Sequence, residues 1–393
     1  MNRISLGLGQ RLSALLFVAC ISLIVGCGTR PTPSPSPIDE YAPKRLDTHL
    51  EALRKTYRYP GMAAVVFDKR KTLSVGVTGV RRQGGRAAIT DGDRFHIGSC
   101  TKAMTATLVA RLVERGVISF ETTLTMLFPT LSIHPDYAEV TVEQLLRHEG
   151  GAHASLAVEG PHLWQILVDG LGKEPRTVRG AFVETLLKDP PPKPVGQFHY
   201  SNAGYILVGA ALEALTGKDW TTLMAEEVFE PLAMNQCGFG APATAGQEDQ
   251  PWGHILTEES IQPIPPGPKA DNPPALGPAG TVHCDLQSWT YFLRVHLGGG
   301  PKGYLKQETL DRLHTPSPGR KYAMGWLAPS PILVAHSGSN NMNYAETALL
   351  KHKGFGFIVV TNTGPAQIVS GQISRNVGTL LEATFTESKR DPE

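Results

Sequence analysis

The sequence predicts an α+β fold in which one antiparallel sheet, built from both ends of the chain, is flanked by terminal helices. Strand-like runs precede residue 98 and return after residue 331, whereas the stretch between them consists mainly of helical segments and proline-rich passages. A sheet needs apolar cover, so the helical patterns at 41–57 and 365–385 are expected to pack on it. The middle stretch is then an inserted, mostly helical lobe.

Composition excludes some classes of function. The 37 Lys and Arg residues nearly balance the 36 Asp and Glu residues, and the net charge of +1 offers no electrostatic attraction to nucleic acid. Apolar residues make up 41 % of the chain, which is enough for a globular body with a large core. We therefore expect a folded protein that has no nucleic-acid partner.

The first 26 residues are typical of a secretory signal. Two arginines are the only charges before an apolar run over residues 12–25, which is shorter than the roughly 20 residues of a membrane-spanning helix. The run ends in IVGC at 24–27, which is similar to a bacterial lipobox, so Cys27 is the expected lipidation site. An ordinary signal peptide and a retained anchor are the alternatives.

A proline-rich linker is predicted over residues 27–43. Alternating Thr, Ser and Pro residues favour an extended polyproline conformation that forms no core and would hold a domain away from a membrane. We expect an exported, membrane-anchored lipoprotein, periplasmic or on the cell surface, with its folded domain over residues 44–388.

Within that domain, an α/β lobe (about 44–98 and 275–388) is expected to enclose a helical lobe (about 99–274). Runs rich in β-branched and apolar residues predict a hairpin at 62–67 and 73–77, an extended segment at 91–97, and strands at 332–335, 344–350 and 355–361. Helical spacing predicts helices at 101–115, 142–147, 161–171, 178–187, 203–215 and 220–228. Eight prolines predict an irregular surface loop over 251–278.

The tetrad SCTK at 99–102 opens one of these helices. Residues three apart lie on one helical face, so the Lys102 amine is expected beside the Ser99 hydroxyl. A serine becomes nucleophilic when a base takes its proton, and a lysine can be that base once burial lowers its pKa. Gly98 and the helix N-terminus would favour close approach of a substrate and a developing anion. Alone, the motif equally fits a serine that only caps the helix.

The triplet Tyr200-Ser201-Asn202 directly precedes the helix predicted at 203–215. A tyrosine beside a cationic lysine can be held partly as phenolate and act as a general base. Asn202 can donate to a substrate carbonyl or position the lysine. The alternative is a tyrosine at a helix start that packs on the core.

The third motif is HSGS at 336–339, after the strand predicted at 332–335. A strand edge can place backbone N–H groups over a nucleophile, so the N–H groups of Ser339 and Ser99 are candidates for a two-donor oxyanion hole. Gly338 would keep side-chain bulk away from the substrate. A single HSG triplet is unremarkable, and this one is informative because it follows the other two motifs in order.

With these three motifs in order, the chain resembles the serine hydrolases that include class C β-lactamases, penicillin-binding DD-peptidases and β-lactamase-like esterases. The resemblance covers about residues 45–385, and its segments are FHIGSCTK at 95–102, HYSNAGY at 199–205, HSG at 336–338, LLRH at 145–148, PAG at 278–280, MGW at 324–326 and VVTN at 359–362. It implies a β-lactamase/transpeptidase-like fold with the active site between the two lobes.

The resemblance also implies roles for the matching residues. Ser99 would be the acylated nucleophile, Lys102 its proton partner, and Tyr200 the base that also activates the deacylating water. Asn202 would contact the substrate, together with the third motif: His336, Ser337, Gly338 and Ser339. No metal or cofactor is implied, and the substrate would be a small-molecule ester or amide, or a peptide.

Two departures from the family pattern bear on the substrate. His336 stands where β-lactamases and penicillin-binding proteins have a lysine, and a neutral histidine provides no fixed cation for a substrate carboxylate near pH 7. This favours an esterase or amidase, and esterase-like and peptidase-like members carry His at this place. The second departure is HEGGAH at 148–153, where the family has a His-Thr-Ser-Gly loop, so Glu149 is a candidate specificity residue.

The same HEGGAH segment superficially resembles a zinc motif, but its histidines are five apart rather than four, and two glycines disfavour the helix such a site needs. Cys100 is expected to be a small core residue. A Cys237–Cys284 bridge is one option that the sequence does not decide.

The leading hypothesis is a lipid-tethered serine esterase or amidase that works through an acyl-enzyme. A D-Ala-D-Ala carboxypeptidase and a β-lactamase are the alternatives within the family. A penicillin- or peptidoglycan-binding protein without turnover is the alternative from another class, and a structural periplasmic adaptor would leave the order of the motifs as coincidence. The sequence does not determine the oligomeric state.

Overall fold

The computed structural model describes residues 43–154 and 156–386. The predicted signal peptide, Cys27 and all but the last residue of the predicted linker lie outside the described residues, so these remain predictions. No helix within the described ranges has both the length and the apolar character needed to cross a membrane.

In chain order, the strands of the described ranges are β1 (Lys44–Arg45), β2 (Gly61–Asp68), β3 (Thr72–Gly79), β4 (Phe95–His96), β5 (Gly238–Phe239), β6 (Gly253–Leu256), β7 (Ile261–Ile264), β8 (Val282–Cys284), β9 (Leu327–Ser330), β10 (Leu333–Ser339), β11 (Tyr344–Leu350) and β12 (Phe355–Thr361). The helices are α1 (Asp47–Tyr57), α2 (Thr101–Glu114), α3 (Leu124–Leu127), α4 (Pro135–Ala138), α5 (Val142–Leu146), α6 (Leu156–Glu159), α7 (Pro161–Asp169), α8 (Pro175–Leu186), α9 (Asn202–Thr216), α10 (Trp220–Met224), α11 (Gly277–Gly280), α12 (Leu286–His296), α13 (Gln307–His314) and α14 (Ala366–Thr386).

The main sheet has the strand order β1-β3-β2-β12-β11-β10-β9. β12 pairs antiparallel with β2, so both ends of the domain meet at the centre of the sheet. This confirms the predicted α+β fold. The sheet is mixed rather than wholly antiparallel, because the short strand β1 runs parallel to β3 before α1 carries the chain on to β2. The residue limits of the two lobes remain a prediction.

Side chains along β2 alternate between the two faces of the sheet. Met62 and Val66 pack in one apolar cluster with Leu50 of α1 and Val369 of α14. Val65, between them, joins the larger core on the opposite face. Full burial of such a side chain contributes about 1.5–3 kcal/mol. The terminal helices therefore cover one face of the sheet, as the sequence predicted.

A second, small sheet, β4-β8-β5, leads into α2. A disulfide joins Cys237, next to β5, to Cys284 in β8, which settles the pairing that the sequence left open. The N–H of Ile97 donates to the carbonyl of Val282 at 2.9 Å, so this sheet holds the chain directly before Gly98 and Ser99.

The passage 251–278 is more ordered than predicted. It contains the antiparallel pair β6–β7. His254 of β6 is fully buried, its N–H donates to the carbonyl of Met342, and its carbonyl accepts from the N–H of Gly364. Short strands among prolines show no periodicity, so the sequence did not reveal them. It also did not predict α12, α13, β8 or β9, and the helix predicted at 220–228 changes at Met224 into a π turn over Ala225–Phe229.

Candidate active site

Ser99 lies in a single 3₁₀ turn, Gly98–Cys100, that continues into α2. Gly98 has a φ of +50°, a left-handed conformation that glycine adopts without strain. The following helix is buried along most of its length, whereas Ser99 is partly exposed. The turn therefore places a partly exposed serine at the start of a buried helix.

Lys102 is completely buried one turn further on. Its Nζ lies 3.0 Å from Ser99 Oγ, 2.8 Å from Asn202 Oδ1 and 2.7 Å from the carbonyl oxygen of Ala279. Burial lowers the pKa of Lys102 to about 7, since a charged ammonium loses its hydration there.

A neutral Lys102 amine has two N–H donors and one lone pair. The oxygens of Asn202 and Ala279 can only accept, so they take both donors. The lone pair is then left for the Ser99 hydroxyl, which makes Lys102 an oriented base. Of the two roles that the sequence left open for Asn202, this geometry favours positioning the lysine.

The side chain of Tyr200 also interacts with Ser99, and its ring centroid is 4.9 Å from Lys102 Nζ. Burial raises the pKa of Tyr200, so the phenol keeps its proton near neutral pH. The expected phenolate beside a cationic lysine does not fit these surroundings, because the low-dielectric interior disfavours both charges.

The third motif forms the end of β10 and lies against the Ser99 turn. β9 pairs with β10 only as far as Ala335, so the last residues of β10 form an edge there. A Cβ atom added to Gly98 would lie 2.2 Å from the backbone nitrogen of Ser339, and one added to Gly338 would lie 2.5 Å from that of Ser99. The two segments can approach this closely because both positions are glycine. The approach brings the two predicted oxyanion donors, the N–H groups of Ser99 and Ser339, close together.

His336 is buried and both of its ring nitrogens have partners. Nδ1 lies 2.6 Å from the carbonyl oxygen of Ser337 and must donate to it, so Nε2 accepts from the hydroxyl of Tyr322 at 2.8 Å. Burial lowers the pKa of His336 to about 3. His336 is therefore neutral, as expected, and it turns towards protein groups.

The remaining residues of the third motif have other partners. Ser337 is exposed and lies near Tyr344. The hydroxyl of Ser339 accepts from the N–H of Asn341 at 2.9 Å. Ser339 therefore contributes its backbone N–H to the site, and not its hydroxyl.

Tyr322 was not identified from the sequence, although it lies just before the family-like segment 324–326. The centroid of its ring lies 4.6 Å from that of His148, 5.8 Å from that of Phe198 and 6.0 Å from that of Tyr200. Phe198 is 43 % exposed and Tyr200 is half-buried, whereas His148 and Tyr322 are buried. We call these four rings, those of His148, Phe198, Tyr200 and Tyr322, the aromatic wall.

The HEGGAH segment has no zinc-like arrangement. His148 Nδ1 accepts from the N–H of Ser201 at 3.0 Å, and burial keeps the pKa of His148 well below its usual value. Glu149 Oε2 instead accepts from Ser317 at 2.9 Å. Among the described residues, no group of three His, Cys, Asp or Glu side chains could hold a metal ion.

Cys100 behaves as the small core residue that was expected. It is 2 % exposed, burial raises the pKa of its thiol, and Sγ lies 3.6 Å from the carbonyl oxygen of His336. It packs in the core, against β10.

Comparison with known proteins agrees with this geometry. A family model described as Beta-lactamase matches residues 46–370. Penicillin-binding protein 4 of Amycolatopsis lactamdurans is 29 % identical over 256 residues, which cover 64 % of this chain and 63 % of the relative. The esterase/beta-lactamase LipL of Mycobacterium tuberculosis is 31 % identical over 144 residues, covering 37 % of this chain and 30 % of the relative. The chain thus spans less than two thirds of the length of either relative.

Among solved structures, the octameric penicillin-binding protein homologue from Pyrococcus abyssi matches with a TM-score of 0.68 and 22 % identity, covering 84 % of this chain and 76 % of that one. At this identity the match demonstrates a shared fold. The resemblance inferred from the motifs is confirmed.

Proposed function

The chain belongs to the Beta-lactamase family, and from this premise we propose that it is a serine hydrolase that cleaves uncharged esters or amides through an acyl-enzyme on Ser99. The observation that carries the proposal is the environment of Lys102. The buried amine has a pKa lowered to about 7 and two acceptors that turn its lone pair towards Ser99 Oγ.

Acylation begins when neutral Lys102 accepts the Ser99 hydroxyl proton while Oγ bonds to the substrate carbonyl carbon. The carbonyl π electrons move to oxygen, and the N–H groups of Ser99 and Ser339 stabilise that oxyanion. Collapse re-forms the carbonyl and breaks the bond to the leaving group.

The leaving group needs a proton, and Tyr200 is placed to relay it. Its hydroxyl, protonated because burial raises the pKa of Tyr200, gives a proton to the departing oxygen or nitrogen. The Lys102 ammonium replaces that proton, which returns the amine to its neutral form. Deacylation runs the same steps with water as the nucleophile and Ser99 as the leaving group.

The third motif supports an uncharged substrate. An ammonium group at position 336 would attract a carboxylate, whereas His336 is neutral and occupied by Ser337 and Tyr322. The aromatic wall offers apolar contact area, with Phe198 exposed at its edge. Both features favour a neutral acyl or alcohol group over an anionic one.

A D-Ala-D-Ala carboxypeptidase, or a penicillin-binding protein that is acylated without turnover, is the second candidate. The similarity to penicillin-binding protein 4 over 64 % of the chain favours it. The two candidates differ in whether the substrate carries a carboxylate and in whether the acyl-enzyme is released.

The test uses three substrates on the domain from residue 44 onwards. p-Nitrophenyl butyrate, its carboxylate-bearing counterpart mono-p-nitrophenyl succinate, and nitrocefin are assayed with the wild type and with Ser99→Ala. We expect turnover of the butyrate, much slower turnover of the succinate, no nitrocefin hydrolysis, and no activity in the variant.

Other outcomes redirect the assignment. A preference for the succinate, or hydrolysis of nitrocefin, would contradict the uncharged-substrate proposal. A fluorescent penicillin that labels Ser99 without turnover of any ester would identify the second candidate. Ester turnover that survives in Ser99→Ala would overturn the mechanism.

We also propose that Cys27 carries the lipid that anchors the exported enzyme, supported by the apolar run and the IVGC tetrad of the sequence. Incorporation of a labelled fatty acid by the full chain, absent in Cys27→Ser, is the expected result. Equal labelling of both proteins would contradict the anchor site.

A further inference from the structure

His96 is a fully buried histidine two residues before Gly98. It belongs to β4 and pairs with His283 of β8. Its Nδ1 accepts the N–H of Gly98 at 3.1 Å, so the ring proton lies on Nε2. That nitrogen lies 2.7 Å from Oδ1 of Asp271, whose side chain is 7 % exposed.

The first of these contacts is made to the backbone of the Ser99 turn. Gly98 holds its left-handed conformation, and His96 is the partner of its N–H. The peptide plane between Gly98 and Ser99 carries the N–H of Ser99, which is one of the two proposed oxyanion donors. A shift of Gly98 would therefore turn that donor away from the substrate oxygen.

The same oxygen of Asp271 also accepts a hydrogen bond from the residue next to Ser339, whose N–H is the second proposed oxyanion donor. Asn340 Nδ2 donates to Asp271 Oδ1 at 3.1 Å, and Asn340 directly follows Ser339. Asn340 Oδ1 in turn accepts from the N–H groups of Met342 and Asn343 at 3.2 and 3.0 Å, which closes the turn after β10. Asp271 thus tethers the backbone on both sides of the oxyanion site.

A third contact connects Asp271 to the lysine. The N–H of Asn272 donates to Asp271 Oδ1 at 2.7 Å, and Asn272 Nδ2 donates to the carbonyl oxygen of Gly280 at 2.8 Å. Gly280 follows Ala279, the carbonyl that accepts from Lys102. One buried carboxylate is therefore linked to the nucleophile turn, the oxyanion strand and the base.

From this geometry we infer that His96 and Asp271 are positioning residues that hold the N–H groups of Ser99 and Ser339 at the spacing of an oxyanion hole. The inference rests on the proposed function. Neither side chain touches the substrate, and both act through Gly98 and Asn340. Backbone donors stabilise an oxyanion only when they are held in place beforehand, and a misplacement of about 1 Å can cost about a hundredfold in rate.

The experiment compares His96→Phe, His96→Asn and Asp271→Asn with His296→Phe. Phenylalanine keeps the ring but offers no acceptor to Gly98, whereas asparagine restores an acceptor near the Nδ1 position. His296 is a matched control, because it is also a buried histidine with partners, on α12 away from Ser99. Each variant is assayed with p-nitrophenyl butyrate, with butylboronic acid as a tetrahedral inhibitor, and by thermal unfolding.

We expect His96→Phe to lower kcat about ten- to a hundredfold with little change in KM, and to weaken butylboronic acid by a similar factor. His96→Asn should recover most of both losses. Asp271→Asn should reduce kcat and boronate affinity together, and by less than His96→Phe. His296→Phe should lower the melting temperature without changing the boronate affinity.

The inference is overturned where His96→Phe keeps the kcat and boronate affinity of the wild type, or where His96→Asn is as impaired as His96→Phe. Should the phenylalanine variant not fold, Asp271→Asn with unchanged boronate affinity overturns it equally. A wild type that neither hydrolyses the ester nor binds the boronate through Ser99 overturns the proposed function itself.

Discussion

Two buried polar clusters lie on the same helix, α2, and differ in what they face. At the start of the helix Lys102 faces the partly exposed Ser99. About one and a half turns later, Thr107 Oγ1 lies 3.2 Å from His296 Nε2, and His296 Nδ1 lies 3.0 Å from His314 Nε2. We call these the lysine cluster and the histidine cluster.

Burial neutralises the bases of both clusters. It lowers the pKa of Lys102 to about 7 and that of His296 to about 3, and it keeps the pKa of His314 well below its usual value. The histidine cluster packs against Trp326, and both ring nitrogens of His296 have protein partners. A neutral buried base is therefore not sufficient for chemistry; it must also face a nucleophile that substrate can reach.

The strongest test of this contrast removes the polar group from each cluster in turn. Lys102→Met should lower kcat for p-nitrophenyl butyrate by a factor on the order of 10³, because Ser99 loses its base. Thr107→Val, the matched change in the histidine cluster, should leave kcat within about twofold. Steady-state kinetics at pH 8 measures both, and similar losses in the two variants would contradict the division of roles.

The second prediction is that the two clusters respond to acid in different pH ranges. Neutral Lys102 predominates above pH 7, so kcat/KM should rise through pH 7 to a plateau and fall about tenfold for each pH unit well below it. The pKa of His296 is lowered, so its contribution to stability is complete above about pH 6.5 and is lost as pH falls towards 3.

At pH 6, kcat/KM should therefore lie about tenfold below its plateau, whereas the loss of the stability that His296 contributes has only begun. Parallel pH profiles of kcat/KM and of thermal unfolding check this. A rate that is level from pH 5 to 8 would exclude Lys102 as the titrating base.

His336→Lys places a cation in the third motif, at the end of β10. We expect the ratio of kcat/KM for mono-p-nitrophenyl succinate to that for p-nitrophenyl butyrate to rise about tenfold, because an ammonium attracts the succinate carboxylate. His336→Gln, which adds no charge, is the matched control. An equal change of ratio in both variants would show that loss of the imidazole, rather than gain of charge, controls selectivity.

The smallest effect on catalysis is expected from the histidine cluster itself. His296→Phe leaves Thr107 and His314 without one partner each, which should lower the free energy of unfolding by about 1–3 kcal/mol. We expect kcat to stay within about twofold. Urea unfolding and kinetics on the same sample check this. A large loss of kcat without loss of stability would contradict the prediction, because it would show that the histidine cluster takes part in catalysis.

Much of the fold could be predicted because its signals are local. β2, β3, α2, β11 and β12 lie within a few residues of their predicted bounds, since period-2 and helical spacing reflect which side chains are buried. The short strands β6, β7, β8 and β9 could not be predicted, because a run of three or four residues shows no clear period.

The candidate site divides in the same way. By itself, the sequence determined the order and spacing of Ser99, Lys102, Tyr200, Asn202 and the 336–339 motif, because the spacing of residues on a helix or a strand follows from the chain.

Only the tertiary structure decided that Lys102 can lose its proton near pH 7, that His336 is neutral, that Tyr200 keeps its proton, and that Tyr322 and Asp271 belong beside them. Asn202 and Ala279 approach Lys102 from 100 and 177 residues away. Protonation depends on desolvation and on such distant partners, and both come from packing, which no local pattern encodes.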